Sequence, residues 1–226
     1  MKVRLISYSK VESDNFDNEK LDNLQELIAF CARVSNPSNQ MNSETSEKLV
    51  RYLIKNDHWS PLEMVSACLE INCTRDIARQ ILRHRSFSFQ EFSQRYANPL
   101  VDLEFEIREP RLQDSKNRQN SIDIDPYQNA MLFDEWHTRQ QEVIQKAKEA
   151  YNWAIENGIA KEQARAVLPE GNTVSKIYMS GTLRSWIHYI QLRSGNGTQK
   201  EHREIAIKCA NALKKIFPMI TEFVKQ

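Results

Sequence analysis

The sequence predicts an α+β fold in a single domain, a mixed sheet flanked by long helices. Three observations predict it. Only 5 glycines and 7 prolines interrupt 226 residues, which favours long regular elements. Short stretches alternate with period two, and longer ones repeat with a period near 3.6. Strands and helices interleave with no internal repeat or low-complexity break, in a chain ample for one core and short for two.

The elements follow in order. Residues 2–8 alternate and predict a first strand, and Asp17 to Ser35 predicts a helix with Leu21, Leu24, Ile28 and Cys31 near one stripe. Residues 44–56 predict a second helix. From Met64 to Cys73, Val65, Ala67, Leu69, Ile71 and Cys73 alternate with Ser66, Glu70 and Asn72, the pattern of a half-buried strand. Thr74 is placed to cap the next helix, with Asp76 in its first turn. Val101, Leu103, Phe105 and Ile107 alternate with acidic residues and predict another strand. Residues 108–124 are polar and aperiodic, and are expected to form a mobile loop. Asp125 to Asn157 predicts one long amphipathic helix stopped by Gly158. A short helix is expected over 161–168, an extended segment over 173–180 and a helix from Thr182 to Arg193. Thr198 and Glu201 have capping-box spacing for a last helix reaching Phe217.

Composition narrows the function. Lysine plus arginine total 31 and aspartate plus glutamate 30, a net charge of +1. Such a chain has no global attraction to nucleic acid or to an anionic membrane, so anion binding must come from local clusters of arginine. Cys31, Cys68, Cys73 and Cys209 lack CxxC spacing, and no histidine stands at zinc-ligand spacing from them. No metal is expected. The opening MKVRLISYS is too polar for a signal peptide and no apolar run spans a bilayer, so a cytoplasmic protein is expected.

The chemistry concentrates in residues 75–96. Arg75, Arg79 and Arg83 recur every four residues, with Gln80 three residues before Arg83. Like charges at this spacing cost a few tenths of a kcal/mol per pair, whereas a charge-assisted bond from arginine to phosphate contributes roughly 1.5–3 kcal/mol. Taken alone, the triplet is better read as a solvated basic face paired with carboxylates elsewhere. Ile77, Ala78, Ile81 and Leu82, however, pin this helix to a core. Ser86, Ser88 and Ser93 then supply hydroxyls and amides for a phosphate.

Arg83-His84-Arg85, Ser88, Glu91, Ser93, Arg95 and Tyr96 resemble the signature of the flavin-dependent thymidylate synthases, the thymidylate synthase-complementing protein family. The likeness covers most of the chain. Ala32-Arg33-Val34-Ser35, His58-x-Ser60-Pro61-x-Glu63, Ala164-Arg165 through Pro169, and Arg184-Ser185 through Arg193 are similar to further family segments. The resemblance implies that family's fold and a homotetramer with shared active sites. It implies reductive methylation of dUMP to dTMP, with methylenetetrahydrofolate as carbon donor and FAD, reduced by NADPH, as hydride carrier. It assigns Gln80, Arg83, Glu91, Phe92, Ser93, Gln94, Arg95, Arg165 and Arg193 to dUMP, with Ser93 and Arg95 at the phosphate. Ser35, Ser60, Glu63, Arg83, His84, Arg85, Glu91, Thr182, Arg184 and His188 would hold FAD. Arg193 would polarise the uracil and favour loss of its N3 proton, and His58 would lie at the flavin and folate. Thr182 and His188 stand where the family commonly carries asparagine, Gln94 where glycine is frequent, and Met64 where histidine is frequent.

The residues can also be weighed independently of the family. Arg193 falls near Trp186 on the apolar side of its helix, so its guanidinium needs a partner: a uracil anion or an internal carboxylate. A nucleophilic Ser93 would need a base held against it, and Arg85 and Arg95 cannot serve as one, so it suits a phosphate better than nucleophilic catalysis. Two other functions compete. One is a module binding a nucleic-acid backbone through Arg75, Arg79, Arg83 and Arg95, which leaves Arg165 and Arg193 without a role. The other is a flavin-binding homologue that has lost activity.

Overall fold

The computed structural model describes residues 1–11 and 21–225. The expected opening of the first helix, Asp17 to Lys20, lies outside them. Strand β1 (Lys2–Tyr8) is followed by α1 (Leu24–Ala32). Helix α1 starts where Asn23 can cap it: its Oδ1 accepts from the Glu26 amide at 3.0 Å, and the Glu26 carboxylate accepts from the Asp22 amide and the Asn23 side chain. It stops before Ser35 because Arg33 turns inward, donating to the Asn42 carbonyl and to Thr45 Oγ1. Helix α2 (Ser46–Lys55) leads through a single helical turn at Ser60–Glu63 into β2 (Ser66–Thr74).

Helix α3 (Arg75–Ile81) and β3 (Ser88–Glu91) come next. Thr74 is the N-cap of α3 by position, but its hydroxyl bonds the Asp76 carboxylate and not a helix amide. The strand expected around residues 101–107 is absent. Asn98 caps a helical turn, α4 (Pro99–Asp102), by accepting from the Leu100 amide, and only Phe105 bridges to Thr173. The Asn-Pro pair outweighs the alternation there. Residues 108–124 also differ from the expected loop. They contain a two-stranded hairpin, β4 (Arg111–Gln113) and β5 (Ser121–Asp123), whose turn is organised by Asp114 accepting from the amides of Lys116 and Asn117.

Helix α5 (Ala130–Glu156) begins five residues later than expected, because Asp125 to Asn129 form a turn. Helix α6 (Lys161–Ala164) tightens into a 3₁₀ turn at Arg165–Val167. Strand β6 (Val174–Thr182) runs directly into α7 (Leu183–Arg193), with the Thr182 hydroxyl accepting from the Ser185 amide at the helix start. Helix α8 (Lys200–Leu213) ends before Phe217, and its capping box does not form. Thr198 donates instead to the Leu192 carbonyl, and Glu201 is drawn to Arg108 and Arg111.

The sheet order is β1-β2-β6-β3, and every neighbouring pair is antiparallel, so the sheet is not mixed. β2 and β3 point the same way, but β6 lies between them, a split β-α-β arrangement. Ile71, Ile177, Met179, Trp186, Ile187 and Phe217 have no exposed surface to speak of and centre the core between the sheet, α7 and α8. The Trp186 indole donates to the Ala67 carbonyl at 3.0 Å, tying α7 to β2. No helix among the described residues is long and apolar enough to cross a membrane.

Gly181 couples this core to the segment ahead of β3. A Cβ there would lie 2.5 Å from Cδ1 of Phe87, whose ring packs edge-on against Trp186 with centroids 4.8 Å apart. Gly181→Ala should therefore lower stability by about 1–3 kcal/mol through displacement of Phe87, read from the midpoint of urea unfolding. A midpoint unchanged from wild type would show that the ring moves freely.

Candidate active site

The β2–β6 ladder pairs Ser66 with Thr182 at one end and Thr74 with Val174 at the other. Each end launches a helix, and the expected site residues divide between them.

At the Thr182 end, residues 82–87 cross from α3 toward α7. The Ser185 hydroxyl donates to the Ser86 carbonyl at 3.1 Å, and Arg193 Nε donates to His84 Nε2 at 2.9 Å. That bond requires an unprotonated Nε2. Burial, then the charges of Arg193 and Arg83, push His84 down to about 4, so it is neutral near pH 7 with its proton on Nδ1. Arg193 is half-buried and its partner is this imidazole, not a carboxylate. Arg83 and Arg85 are exposed, and no ion pair holds either among the described residues. Gln80 is half-buried and bonded to Gln199 and His202.

The expected flavin residues sit beside this group. Ser60 and Glu63 open and close the turn before β2, and Arg184 of α7 pairs with Glu63. Trp59 packs against His188 with ring centroids 4.6 Å apart, and exposed His58 lies edge-on to Tyr52. Burial and the Arg184 charge hold His188 below the ordinary histidine value. Ser35 is exposed in the turn after α1, and no hydrogen bond among the described residues ties it to these groups.

At the Val174 end, Glu91 accepts from Ser175 Oγ at 2.8 Å and pairs with Arg75 at 3.4 Å. The Phe92 amide donates to the Lys176 carbonyl. A turn then begins at Ser93. Its carbonyl accepts from the amides of Tyr96 and Ala97, and its hydroxyl from the Arg95 amide. Gln94 turns its side chain inward, leaving a buried amide nitrogen without a partner among the described residues. Arg95 pairs with Glu162 at 3.4 Å, and Arg165 Nε donates to the Glu162 carbonyl, so Arg95 and Arg165 meet on one residue.

One expectation is corrected. Arg75, Arg79 and Arg83 do not share one basic helix face. Helix α3 ends at Ile81, Arg75 is paired with Glu91, and Arg79 with Glu170. Within one chain the residues expected at dUMP fall into separate groups, as shared active sites would require. Ser93, Arg95 and Arg165 stand beyond the far end of β3 from Arg83, His84 and Arg193. At ~3.3 Å per residue, Ser88 to Ser93 alone spans ~17 Å.

The network behind the site was not anticipated. Tyr189, Gln199, Glu201 and His202 link to Gln80 through hydrogen bonds of 2.8–3.2 Å. One sequence signal was available: His202 falls on the apolar stripe of α8 with Ile205, Ala206 and Cys209.

Burial, then the charges of Arg193, His84 and Arg83, push His202 down to about 3. Both histidines thus bind protons more tightly in the unfolded chain, whose ordinary value is near 6.5. Their contribution to stability is present above pH 6.5 and is lost as pH falls toward 4 and then 3. Ring proton NMR should find neither titrating between pH 7 and 5. A midpoint near 6.5 for His84 would contradict its bond to Arg193.

Residues 19–219 match the family model described as thymidylate synthase complementing protein (Thy1). The chain is 47% identical over 222 residues to the probable flavin-dependent thymidylate synthase of Paramecium bursaria Chlorella virus 1, covering 98% of both chains. It is 48% identical over 225 residues to the flavin-dependent thymidylate synthase of Synechocystis sp., covering 97% of each. To the Thermus thermophilus flavin-dependent thymidylate synthase it is 33% identical over 195 residues, 85% of this chain and 68% of that one. The fold is similar to the crystal structure of the UMP/dUMP methylase PolB from Streptomyces cacaoi bound with 5-Br dUMP. The TM-score is 0.74 at 24% identity, over 98% of this chain and 93% of that one, a likeness of fold alone. With the arginine-histidine-arginine segment, the Ser93 turn and Arg193 set on that fold, the chain belongs to the thymidylate synthase complementing protein family, the flavin-dependent thymidylate synthases.

Proposed function

We propose that this chain methylates dUMP to dTMP, taking the carbon from methylenetetrahydrofolate, with FAD as the hydride carrier and NADPH as its reductant. The observation that carries this reading is selective charge pairing. Arg75, Arg79, Arg95 and Arg184 have carboxylate partners, whereas Arg83, Arg85, Arg165 and Arg193 have none among the described residues. Cations left uncompensated on family positions suit two phosphorylated ligands.

The residues fit FAD. Arg83 and Arg85 offer free guanidinium groups for its diphosphate, and the Trp59–His188 pair beside exposed His58 offers flat surface for its ring. Ser35, Ser60, Glu63, His84, Glu91, Thr182 and Arg184 complete the proposed set. The Thr182 hydroxyl already caps α7, so its share would come through the backbone. FAD supplies hydride-transfer chemistry when bound. The protein's part is to bind, orient and polarise. Ser93, Gln94 and Arg95, with Arg165, would take the dUMP phosphate. No base is bonded to the Ser93 hydroxyl among the described residues, so it would serve as ligand, not nucleophile. Arg193 would stabilise negative charge on the uracil and so favour loss of the N3 proton, with Gln80 also at the base and Glu91 and Phe92 reaching the nucleotide from the other end of β3. His84 accepts from Nε and thereby leaves both terminal nitrogens of Arg193 for the base.

The placement of the two groups at opposite ends of β3, whose Ser88–Ser93 run spans ~17 Å, favours sites completed by a second copy. Helix α5 supports that assembly: Met131 (87% exposed), Trp136, Val143 and Trp153 present apolar surface that a homotetramer would cover. We place this single-domain protein in the cytoplasm, without a nucleic-acid or membrane partner.

The purified protein should be yellow, or become so with FAD, and should form dTMP only with methylenetetrahydrofolate. Arg193→Ala should keep the flavin spectrum and lose dTMP formation. Arg95→Ala should raise the KM for dUMP by about 10- to 100-fold, the worth of one charge-assisted phosphate bond. Tight RNA binding without flavin absorbance would favour a backbone-binding module, and a yellow protein without turnover an inactive homologue.

A further inference from the structure

Behind Gln80 runs a chain of hydrogen bonds whose direction is fixed by a single anion. Glu201 is buried and bonded to Arg111, with Arg108 at 3.5 Å. Burial pushes its carboxyl up, but the hydrogen bond from Arg111 and the charges of Arg108 and Arg111 bring the net value below the usual range, so it is ionised. An ionised carboxylate only accepts. At 3.0 Å, Gln199 must therefore turn its NH₂ to Glu201 Oε2. That leaves Gln199 Oε1 to accept from Gln80 Nε2 at 2.8 Å. Gln80 Oε1 is then left facing His202 Nδ1 at 3.2 Å, and must take a proton from it. His202 is neutral, so its Nε2 is bare and accepts from the Tyr189 hydroxyl at 3.2 Å.

The reverse arrangement fails at one point. Flipping Gln80 requires flipping Gln199, which sets an amide oxygen against the Glu201 carboxylate with no proton between them. Amide orientation and histidine tautomer are thus assigned by the network as a whole.

We propose that Glu201, Gln199, His202 and Tyr189 are positioning residues that hold Gln80 with its free N–H toward the pyrimidine. Gln80 then offers a donor to a carbonyl oxygen of the base and no acceptor to an exocyclic amino group. This rests on the placement of Gln80 at dUMP proposed above. The consequence is selection of uracil over cytosine, because a site built to donate leaves an amino group facing another donor. His202 and Tyr189 are almost completely buried, so they act through Gln80 and do not touch the substrate.

The test has two arms on the FAD-loaded protein. Long-range ¹H–¹⁵N spectra of the histidine rings should show His202 as the Nδ1–H tautomer, and an Nε2–H tautomer would overturn the relay whatever nucleotide binds. Equilibrium dialysis with dUMP and dCMP should show His202→Leu reducing the preference for dUMP about tenfold, the worth of one oriented hydrogen bond. FAD content and the unfolding midpoint would report its folding. Tyr189→Phe, a smaller change, should reduce the preference less and serves if His202→Leu does not fold. A preference unchanged in a folded variant that still binds dUMP would sink the relay alone. A wild-type protein binding neither nucleotide would instead remove the proposed function and this inference with it.

Discussion

The site depends on the register of one antiparallel ladder, nine residues of β2 against nine of β6. Their paired residues lie 100 to 116 positions apart in sequence, from Thr74 with Val174 to Ser66 with Thr182, yet both site helices spring from their ends, α3 after Thr74 and α7 after Thr182. A slip of one residue would turn Ile71, Ile177 and Met179 from the core toward solvent, because side chains alternate faces with period two. It would also carry α7 about 3.3 Å along the sheet, too far for Arg193 to keep its bond to His84. Core burial and site geometry are therefore enforced by the same pairing. That is why residues distant in sequence can be placed to within a hydrogen bond's tolerance.

On that frame, electrostatics decides which arginines remain available. A carboxylate 4 Å from a guanidinium at an effective dielectric near 20 contributes about 4 kcal/mol, enough to suppress attraction for a second anion. Arg75 is held by Glu91 in a part-buried pair and serves the structure, whereas the exposed pair of Arg79 with Glu170 is screened by water. Arg193 is held by a neutral imidazole, which orients it without cancelling its charge. Arg95 is intermediate: its exposed partner Glu162 is screened by water, and an incoming phosphate can displace it.

Much of this was legible in the sequence. Period-two alternation located β1 and β2, and the segment expected to be extended at 173–180 became β6. The signature residues named the family that the comparisons show. What failed, failed for tertiary or capping reasons. Asn98-Pro99 overrode an alternating run, and Thr198 with Glu201 lost their local cap because Arg108 and Arg111 claimed the carboxylate. Helical spacing suggested that Arg83 shares a face with Arg75, but the helix ends two residues before it. The polar chain behind Gln80 joins α3, α7 and α8 across more than a hundred residues, so no local pattern could announce it.

The composition of that chain follows from what it stands beside. His202, the partner of Gln80, lies in the field of half-buried Arg193, whose positive charge the proposed chemistry needs. A charged residue in van der Waals contact with Gln80 would alter that field by several kcal/mol. Amides, a hydroxyl and a neutral imidazole transmit orientation by dipoles and add no net charge. The one anion that sets their direction, Glu201, stands two hydrogen bonds away from Gln80 and is neutralised locally by Arg108 and Arg111. Burying His202 in its neutral form is thus consistent with the electrostatics of the site: protonation would destroy the acceptor for Tyr189 and set a second cation against Arg193.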